Sequence, residues 1–269
     1  MTIAQLDSLV SLLRSRPAPA VGREPRSGLF RGWVALQDGG MQIRIRLVTD
    51  AIGAREALDV ANRVWGPGAA VDHDTYFVVA VHGGYLAIAE DGDDPVGMCF
   101  GFLSDGGRGL HSHMAGVVPS HAGRGVGAML KHHQRAWAAE RGLTHVSWTY
   151  DPLQRPNAWF NLVKLGARPV AYHVNYYGPL DDDINRGDET DRFEVHWPVA
   201  GAPTGTVEPG PGDTVVATPD AINPLRRSDP AAALDWRRRV RSAIVSRLDD
   251  GHHVAGLTTD GSYVLRRTR

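Results

Sequence analysis

Apolar residues recur along this chain with two periods, and each period predicts one kind of element. Every second residue is apolar over residues 42–48, which is typical of a strand with one buried face. Over residues 54–65 the apolar positions lie three or four apart, and this spacing predicts an amphipathic helix. The same helical spacing appears over residues 3–15. A further short helix is expected over Tyr76–His82, ending at two glycines.

The middle of the chain continues this alternation of strands and helices. The expected elements are strands at Tyr85–Ala89, Val96–Phe102 and Leu110–Val117, a long helix to about Arg141, a strand at His145–Tyr150, a helix over Pro156–Leu165 and a strand around Tyr172–Tyr177. The order β-α-α-β-β-β-α-β-α-β predicts an α/β fold with a mixed sheet.

The last third of the chain has a different character. Alternation over Arg192–Trp197 predicts a strand, and residues 201–212 are rich in Pro and Gly. Pro230 follows Ser228 and Asp229, either of which is a suitable cap for a helix that ends at Gly251. Short strands are expected at Val254–Leu257 and Tyr263–Leu265. We therefore expect an N-terminal helix and linker arm over residues 1–40, a core over 41–180, and a C-terminal extension over 181–269 that packs on the core.

Composition narrows the class of protein. Apolar residues make up 42% and charged residues 22%, values typical of globular proteins, and the net charge of −1 favours neither nucleic acid nor an anionic membrane as partner. The single cysteine, Cys99, excludes an intramolecular disulfide and fits a reducing compartment. Since no signal-peptide pattern or membrane-length apolar run is found, we expect a cytoplasmic protein.

The most informative segment is Val117–Ala128, which contains Gly123, Gly125 and Gly127. It predicts a strand end, a glycine-rich turn and the start of the long helix. Such a turn directs backbone N–H groups outward at a helix N-terminus, where the helix dipole also favours negative charge. Glycine permits both the turn and the close approach of a phosphate. The pattern therefore predicts a pyrophosphate site.

This turn, in this order of elements, resembles the GNAT superfamily of acyl-CoA-dependent N-acyltransferases over roughly residues 41–180. The segments Trp148–Leu153 and Asn157–Ala167, together with the tail, resemble a less-characterised subgroup with a C-terminal extension. The resemblance implies a GNAT-like fold whose central sheet is splayed, and acetyl-CoA or another acyl-CoA as co-substrate. It also implies that the pantetheine amide pairs with the exposed strand edge at Ala115–Val117.

Carried over residue by residue, the resemblance places the pyrophosphate loop on Ala122–Gly127. Ala122 stands where the family usually has Gln or Arg, and we expect its backbone N–H to serve instead. The expected donor-binding residues are Val117, Val118, Ala122, Gly123, Arg124, Gly125, Val126, Gly127, Ala128 and Asn157. The family often places a proton-donating Tyr four residues before the glycine that ends the later helix, but here that position is Leu162.

Acyl transfer needs a neutral amine, a polarised carbonyl and a route for one proton. The candidates for proton transfer are His111 and His113, which alternate onto one strand face, and Asp151 at the end of the next strand. The N–H of Val117 or Val118 is a candidate oxyanion donor. Each has a plainer interpretation, because the histidines can be structural groups of a half-buried strand and Asp151 can cap the turn before Pro152. Asn157 can likewise cap its helix, and Arg124 can be a solvated surface residue.

The sequence thus predicts an acyltransferase that moves an acetyl or other acyl group from coenzyme A to the amine of a small molecule. The subgroup resemblance implies a sharper form, N-acylation of an amino acid, with succinyl-CoA as one option for the donor. In that case Arg155 or Arg192 is the candidate partner of the extra carboxylate. The alternative, motivated by Leu162, is a non-catalytic coenzyme-A-binding regulatory or interaction protein. We expect no metal site, no nucleic-acid or membrane partner, and a homodimer as one option for the assembly.

Overall fold

The structure is a computed structural model that describes residues 33–36, 42–68, 71–178, 188–203 and 205–268. Its strands are β1 (Trp33–Leu36), β2 (Gln42–Leu47), β3 (Tyr85–Asp91), β4 (Asp94–Ser104), β5 (Gly109–Val117), β6 (His145–Tyr150), β7 (Arg168–His173), β8 (Arg192–Pro198), β9 (Thr214–Val216), β10 (His252–Leu257) and β11 (Tyr263–Arg267). Eight of them form one sheet in the order β1-β2-β3-β4-β5-β6-β8-β7, and β10-β11-β9 form a second, smaller sheet.

Three of the described helices begin at an aspartate N-cap. They are α1 (Ala51–Trp65), α2 (His73–Val81), α3 (Val126–Glu140), α4 (Arg155–Ala158), α5 (Ile222–Ser228) and α6 (Pro230–Asp249). Asp50, Asp72 and Asp229 each accept a backbone N–H in the first turn of the helix that follows. The chain continues from α4 as a π-helical segment, Trp159–Leu165, which ends at Gly166 in the left-handed conformation.

The strand pairs are antiparallel except at the centre of the large sheet. There β5 and β6 run parallel and pair only over Gly109–His111 and His145–Ser147. Beyond these residues the two strands separate, while β4 continues to pair with β5 as far as Val117. The separation leaves a V-shaped gap between β5 and β6, which is the predicted splay of the sheet.

Helices cover both faces of the sheet. A Cβ on Gly116 would lie 2.6 Å from the Trp65 ring, so α1 packs so closely on one face that glycine is required. A Cβ on Gly127 at the start of α3 would lie 3.8 Å from the side chain of the neighbouring residue Val117, so α3 covers the opposite face. Fully buried apolar side chains fill both layers, including Ile45, Ile88, Phe100, Leu130 and Trp137.

The C-terminal part of the chain is joined to this sheet by a strand and by buried ion pairs. β8 lies between β6 and β7, so the large sheet continues beyond residue 180. Arg226 of α5 and Arg237 of α6 both bind Asp151, just after β6, and Asp188. These four side chains are almost completely buried. Removing one member would leave a buried charge uncompensated. The network therefore fixes α5 and α6 against the end of β6.

The predicted order of elements from β2 to β7 is confirmed, but several boundaries differ. The strand expected around Tyr172–Tyr177 instead covers Arg168–His173, and the chain then turns. β1 lies in the stretch interpreted as a linker, and β9 and α5 were not predicted. The helix expected over residues 3–15 lies outside the described residues. Among the described helices, none is long and apolar enough to cross a membrane.

Candidate functional site

The free edge of β5 borders the gap between β5 and β6. Val118 donates its N–H to Val96 of β4 at 2.9 Å. Because bonding alternates along an antiparallel ladder, the N–H groups of Val117 and Ala115 point to the other side, into the gap. Ala115 is exposed there. The edge that was expected to pair with an extended amide is therefore open. Of the two candidate oxyanion donors, Val117 and Val118, the structure rules out Val118, because its N–H is already bonded.

The glycine turn has the backbone geometry that anion binding requires. Gly123 and Gly125 have φ of 75° and 81°, in the left-handed region that favours glycine. Gly125 is the N-cap of α3 and supplies no capping side chain. The first N–H groups of a helix have no partner within it, so those of Val126, Gly127 and Ala128 point out of the helix end. This end therefore offers several N–H donors and the positive end of the helix dipole.

Gly127 is not required by packing within the protein. A Cβ at this position would meet only Val117, at an ordinary contact distance of 3.8 Å. The missing side chain leaves space beside the first turn of α3, as expected where a ligand approaches the backbone. Ala122 fits the prediction less well, because its N–H donates to the carbonyl of Pro119 at 3.3 Å. The N–H cradle therefore begins after Ala122.

Two exposed side chains among the predicted donor-binding residues are free to bind. Arg124 is exposed and makes no ion pair with any described residue, so its guanidinium is available to a phosphate. Asn157 is exposed on α4, and the N-cap of that helix is Gln154, so Asn157 does not cap it. His121 instead anchors the turn, with Nε2 3.2 Å from Asp91 Oδ2 and Nδ1 2.9 Å from Ser120 Oγ.

A groove of about 520 Å³ starts at the turn and follows α3. It is lined by Gly125, Ala128, Met129, His132, Arg135 and Ala136 of α3 and by Val199 and Gly201 after β8. Arg135 fixes the far wall by donating to the carbonyls of Pro198 and Gly201, both at 2.8 Å. The groove thus extends from the anion cradle and has room for the remainder of a large ligand.

His111 and His113 share one face of β5, as predicted. Their ring centroids are 6.1 Å apart, and each contacts Phe102 of β4. Burial lowers the pKa of both imidazoles, and the neighbouring charge of His113 lowers that of His111 further. Both rings are therefore neutral at pH 7 and able to accept a proton. They lie on the face of β5 opposite to Ser112, whose Oγ accepts from Lys131 beneath α3.

Asp151 is not placed for proton transfer, which corrects one of the sequence predictions. Its Oδ1 accepts from the Leu153 N–H and from Arg237, and its Oδ2 accepts from Arg226 and Arg237. Burial alone would raise its pKa, but the hydrogen bonds and charges of the two arginines lower it to about 2. A buried carboxylate held in this way is a poor base at neutral pH. Its role is to fix the extension to the core.

The position of the usual proton donor is closed to solvent. Leu162 lies in the π-helical segment and is 3% exposed. Its neighbour Asn161 is buried as well, and the Asn161 Oδ1 accepts from the indole N–H of Trp148 at 3.2 Å. Leu162 therefore contributes packing and offers no proton.

The structure also groups polar residues that the sequence interpretation did not place together. Thr149, His173, Tyr177, Arg192, Glu194 and His196 form what we call the polar patch, on one face of β6, β8 and the end of β7. Glu194 Oε2 is 2.9 Å from His173 Nε2, and Glu194 Oε1 is 3.6 Å from His196 Nε2. Arg192, Glu194 and His196 alternate along β8 with buried apolar residues. That alternation is visible in the sequence, and it is the signal that could have shown that these three polar residues share one face.

The polar patch lies beside the gap between β5 and β6. Thr149 pairs with Glu194 and comes two residues after Ser147, the last residue of β6 that pairs with β5. The negative charge of Glu194 also acts to raise the pKa of His111 across the gap. The patch and the two histidines of β5 therefore border the same opening. Among the described residues, no group of three or more His, Cys, Asp or Glu is arranged to hold a metal ion.

Comparison with known proteins identifies the central part of the chain. Residues 55–161 match the sequence model of the acetyltransferase (GNAT) family. This segment runs from within α1 to the π-helical segment, so it contains β5, the glycine turn, α3 and β6. A search of curated proteins finds none that matches this chain.

Several solved acetyltransferase structures align with this one at low sequence identity. The ribosomal-protein-S18-alanine N-acetyltransferase of Escherichia coli aligns with a TM-score of 0.49 and 13% identity, over 62% of this chain and 99% of its own. An aminoglycoside 6'-acetyltransferase type Ii aligns with a TM-score of 0.47 and 17% identity, over 59% and 99%. A putative GNAT acetyltransferase from Desulfovibrio desulfuricans gives 0.47 and 15%, also over 59% and 99%.

Proposed function

We propose that this chain is a GNAT-type acyltransferase that transfers an acyl group, first of all acetyl, from coenzyme A to the amine of a small molecule. The match of residues 55–161 to the acetyltransferase (GNAT) family supports this proposal. The observation that carries this proposal is the proximity of two features. An N–H cradle at the start of α3 is suited to a pyrophosphate, and the open edge of β5 leads directly into it. An extended pantetheine arm needs both, one after the other.

The residues fit coenzyme A in three respects. The N–H groups of Val126, Gly127 and Ala128 suit the pyrophosphate, with the exposed Arg124 guanidinium beside them. The free polar groups of Ala115 and the free carbonyl of Val117 suit the amides of the pantetheine arm. The groove along α3 gives space to the rest of the donor. Asn157, which has no partner among the described residues, is a further candidate contact from α4.

The reaction would proceed by direct transfer. The amine nitrogen attacks the thioester carbonyl carbon, a C–N bond forms, and the C–S bond breaks. The proton lost by the amine passes to His111 or His113, directly or through one water, since both imidazoles are neutral at pH 7. The free N–H of Val117 is placed to stabilise the thioester oxygen. Leu162 cannot protonate the leaving thiolate. Because thiol pKa values are about 8.5, the thiolate takes its proton from water at neutral pH.

The test is a panel of acyl-CoA donors and small amines, scored by release of free thiol. Turnover that requires both substrates supports the proposal. A double variant, His111→Asn with His113→Asn, should lose turnover but still bind coenzyme A. If no pair of donor and amine gives thiol release above background, the proposed reaction is wrong.

The second candidate is a coenzyme-A-binding protein without catalysis, and the buried Leu162 is the observation that favours it. It shares the donor site and lacks only the chemistry. Thermal unfolding in the presence of coenzyme A separates the two, because a ligand that binds only the folded state stabilises it. A raised Tm without turnover for any pair favours this candidate.

A further inference from the structure

The polar patch contains a cation and an anion that are not paired with each other. Arg192 and Glu194 project from the same face of β8, two residues apart, which corresponds to roughly 6.5–7 Å along the strand. No salt bridge joins them, because Glu194 is bound by His173 and approached by His196. A surface that holds both charges apart is suited to a ligand that carries both.

Arg192 lacks the counterion that a half-buried guanidinium normally has. One of its nitrogens, Nη1, donates to the backbone carbonyl of Asp191 at 2.8 Å, and its guanidinium carbon lies 5.1 Å from the centre of the Tyr177 ring. None of the described carboxylates forms an ion pair with it. Every other strongly buried arginine of the extension is paired with Asp151, Asp188 or Asp191. The planar donor face of Arg192 is thus held in place and is free to bind a carboxylate in a bidentate way.

Glu194 is equally well oriented. His173 holds one carboxylate oxygen at 2.9 Å, and the side chain remains 34% exposed. Tyr177, on which Arg192 stacks, contacts Thr149 Oγ1 through its hydroxyl at 3.1 Å, and Thr149 is the cross-strand neighbour of Glu194. These contacts place the anion next to the gap between β5 and β6, where the thioester would lie, and place the cation one step further from it.

We infer that Arg192 and Glu194 form the acceptor site and that the acceptor is an α-amino acid. The α-carboxylate binds the Arg192 guanidinium, and the α-amine lies between Glu194 and the β5 histidines. Arg155, the other arginine considered for a carboxylate, is occupied by Asp220 and by the backbone and side chain of Thr218. This inference rests on the proposed acyltransferase function and adds the substrate class and the specificity-determining residues.

The test compares each α-amino acid with two relatives that lack its carboxylate, the decarboxylated amine and the primary amide. Suitable sets are based on phenylalanine, lysine and serine, with acetyl-CoA as donor. The full-length protein should have a higher kcat/KM for at least one amino acid than for both of its relatives. Arg192→Met should lower that kcat/KM by roughly ten- to a hundred-fold, mostly through KM, as expected for the loss of a charged bidentate contact. It should change kcat/KM for the amine and the amide by less than about threefold.

The controls separate this effect from misfolding and from the donor site. Arg192→Lys should recover part of the activity, and Arg239→Met, at an exposed arginine on α6, should have none of these effects. Glu194→Gln should weaken all acceptors alike, because it removes the partner of the amine. Each variant should keep the wild-type thermal shift with coenzyme A.

Three outcomes would overturn the inference. The first is that amines and amides match or exceed the amino acids in the wild-type protein, and the second is that Arg192→Met lowers kcat/KM for all three by the same factor. If Arg192→Met instead reduces the use of succinyl-CoA relative to acetyl-CoA, Arg192 binds the acyl group and the acceptor assignment is wrong. Turnover of plain amines alone would overturn this inference but keep the proposed function, whereas coenzyme A binding without any turnover would overturn the proposed function itself.

Discussion

Lys131 provides a stability prediction whose size follows from its surroundings. It is one of two lysines in the chain, and it is 5% exposed between α3 and the sheet. Its Nζ donates to Ser112 Oγ and Gln134 Oε1, both at 2.9 Å, and lies 3.7 Å from the centre of a Trp148 ring. None of the described carboxylates pairs with it. Burial lowers its pKa from 10.5 to about 8, although the nearby Cys99 acts in the opposite direction.

The cost of this burial depends on pH. A fall of the pKa from 10.5 to about 8 corresponds to about 3 kcal/mol, at about 1.4 kcal/mol per unit. Below pH 8 both states carry the proton and the whole penalty acts on the folded state. Between pH 8 and 10.5 the unfolded chain binds more protons than the folded one, so stability rises with pH. Above that range the penalty is gone.

Lys131→Met removes the titrating group and keeps most of its volume. At any one pH, the difference in the free energy of unfolding between the two proteins also includes the hydrogen bonds that the variant loses, which contribute about 1 kcal/mol each. The change of this difference with pH does not include them. We therefore expect the free energy of unfolding of the wild type, relative to Lys131→Met, to rise by about 3 kcal/mol from pH 7 to above pH 10.

The assay is urea unfolding followed by circular dichroism at several pH values, since the difference between the two proteins cancels the groups that they share. Lys164→Met, at the exposed second lysine, is the matched control and should give a pH-independent difference. With lysine labelled at Cε, NMR should show the Lys131 signal titrating near pH 8. A difference that does not vary with pH, or titration near 10.5, would refute the reasoning.

Three further predictions concern the extension, the histidines and the glycine turn. Arg237→Met should destabilise the fold by about 3–5 kcal/mol in urea unfolding, because it leaves the buried carboxylates of Asp151 and Asp188 with one arginine, Arg226, instead of two, whereas exposed Arg239→Met should cost under about 1 kcal/mol. The acid limb of kcat/KM should have an apparent pKa below 6.5, since burial lowers the pKa of His111 and His113; a limb above 6.5 would contradict their role as base. Gly127→Ala should leave the Tm nearly unchanged but weaken coenzyme A binding in titration calorimetry, and unchanged binding would argue against the cradle.

The sequence was sufficient for the features that depend on local pattern. Alternation and helical spacing predicted the elements from β2 to β7, and the glycines predicted the turn before α3 and the start of that helix. The caps at Asp50, Asp72 and Asp229 follow from the same local rules, because each side chain bonds to a backbone N–H only three residues away.

Features that depend on long-range contact were less accessible. Asp151 ends a strand at a position suited to catalysis, and only the packing of α5 and α6 shows that two arginines 75 and 86 residues away hold it. The polar patch required the register in which β8 enters between β6 and β7. The hydrogen bond from the Val118 N–H to Val96 could be predicted only from the register of β4 and β5. None of these pairings is encoded by local periodicity.

The central claim is that the start of α3 and the open edge of β5 bind coenzyme A, and thermal unfolding at increasing coenzyme A concentration tests it most directly. At a ligand concentration of 100 Kd the folded state gains about 2.7 kcal/mol, which corresponds to a Tm increase of roughly 5–10 °C for a chain of this size. We expect this increase, which grows logarithmically with coenzyme A concentration, for the wild type and a smaller one for Arg124→Ala. A Tm that does not change at any concentration of coenzyme A or acetyl-CoA would contradict the account.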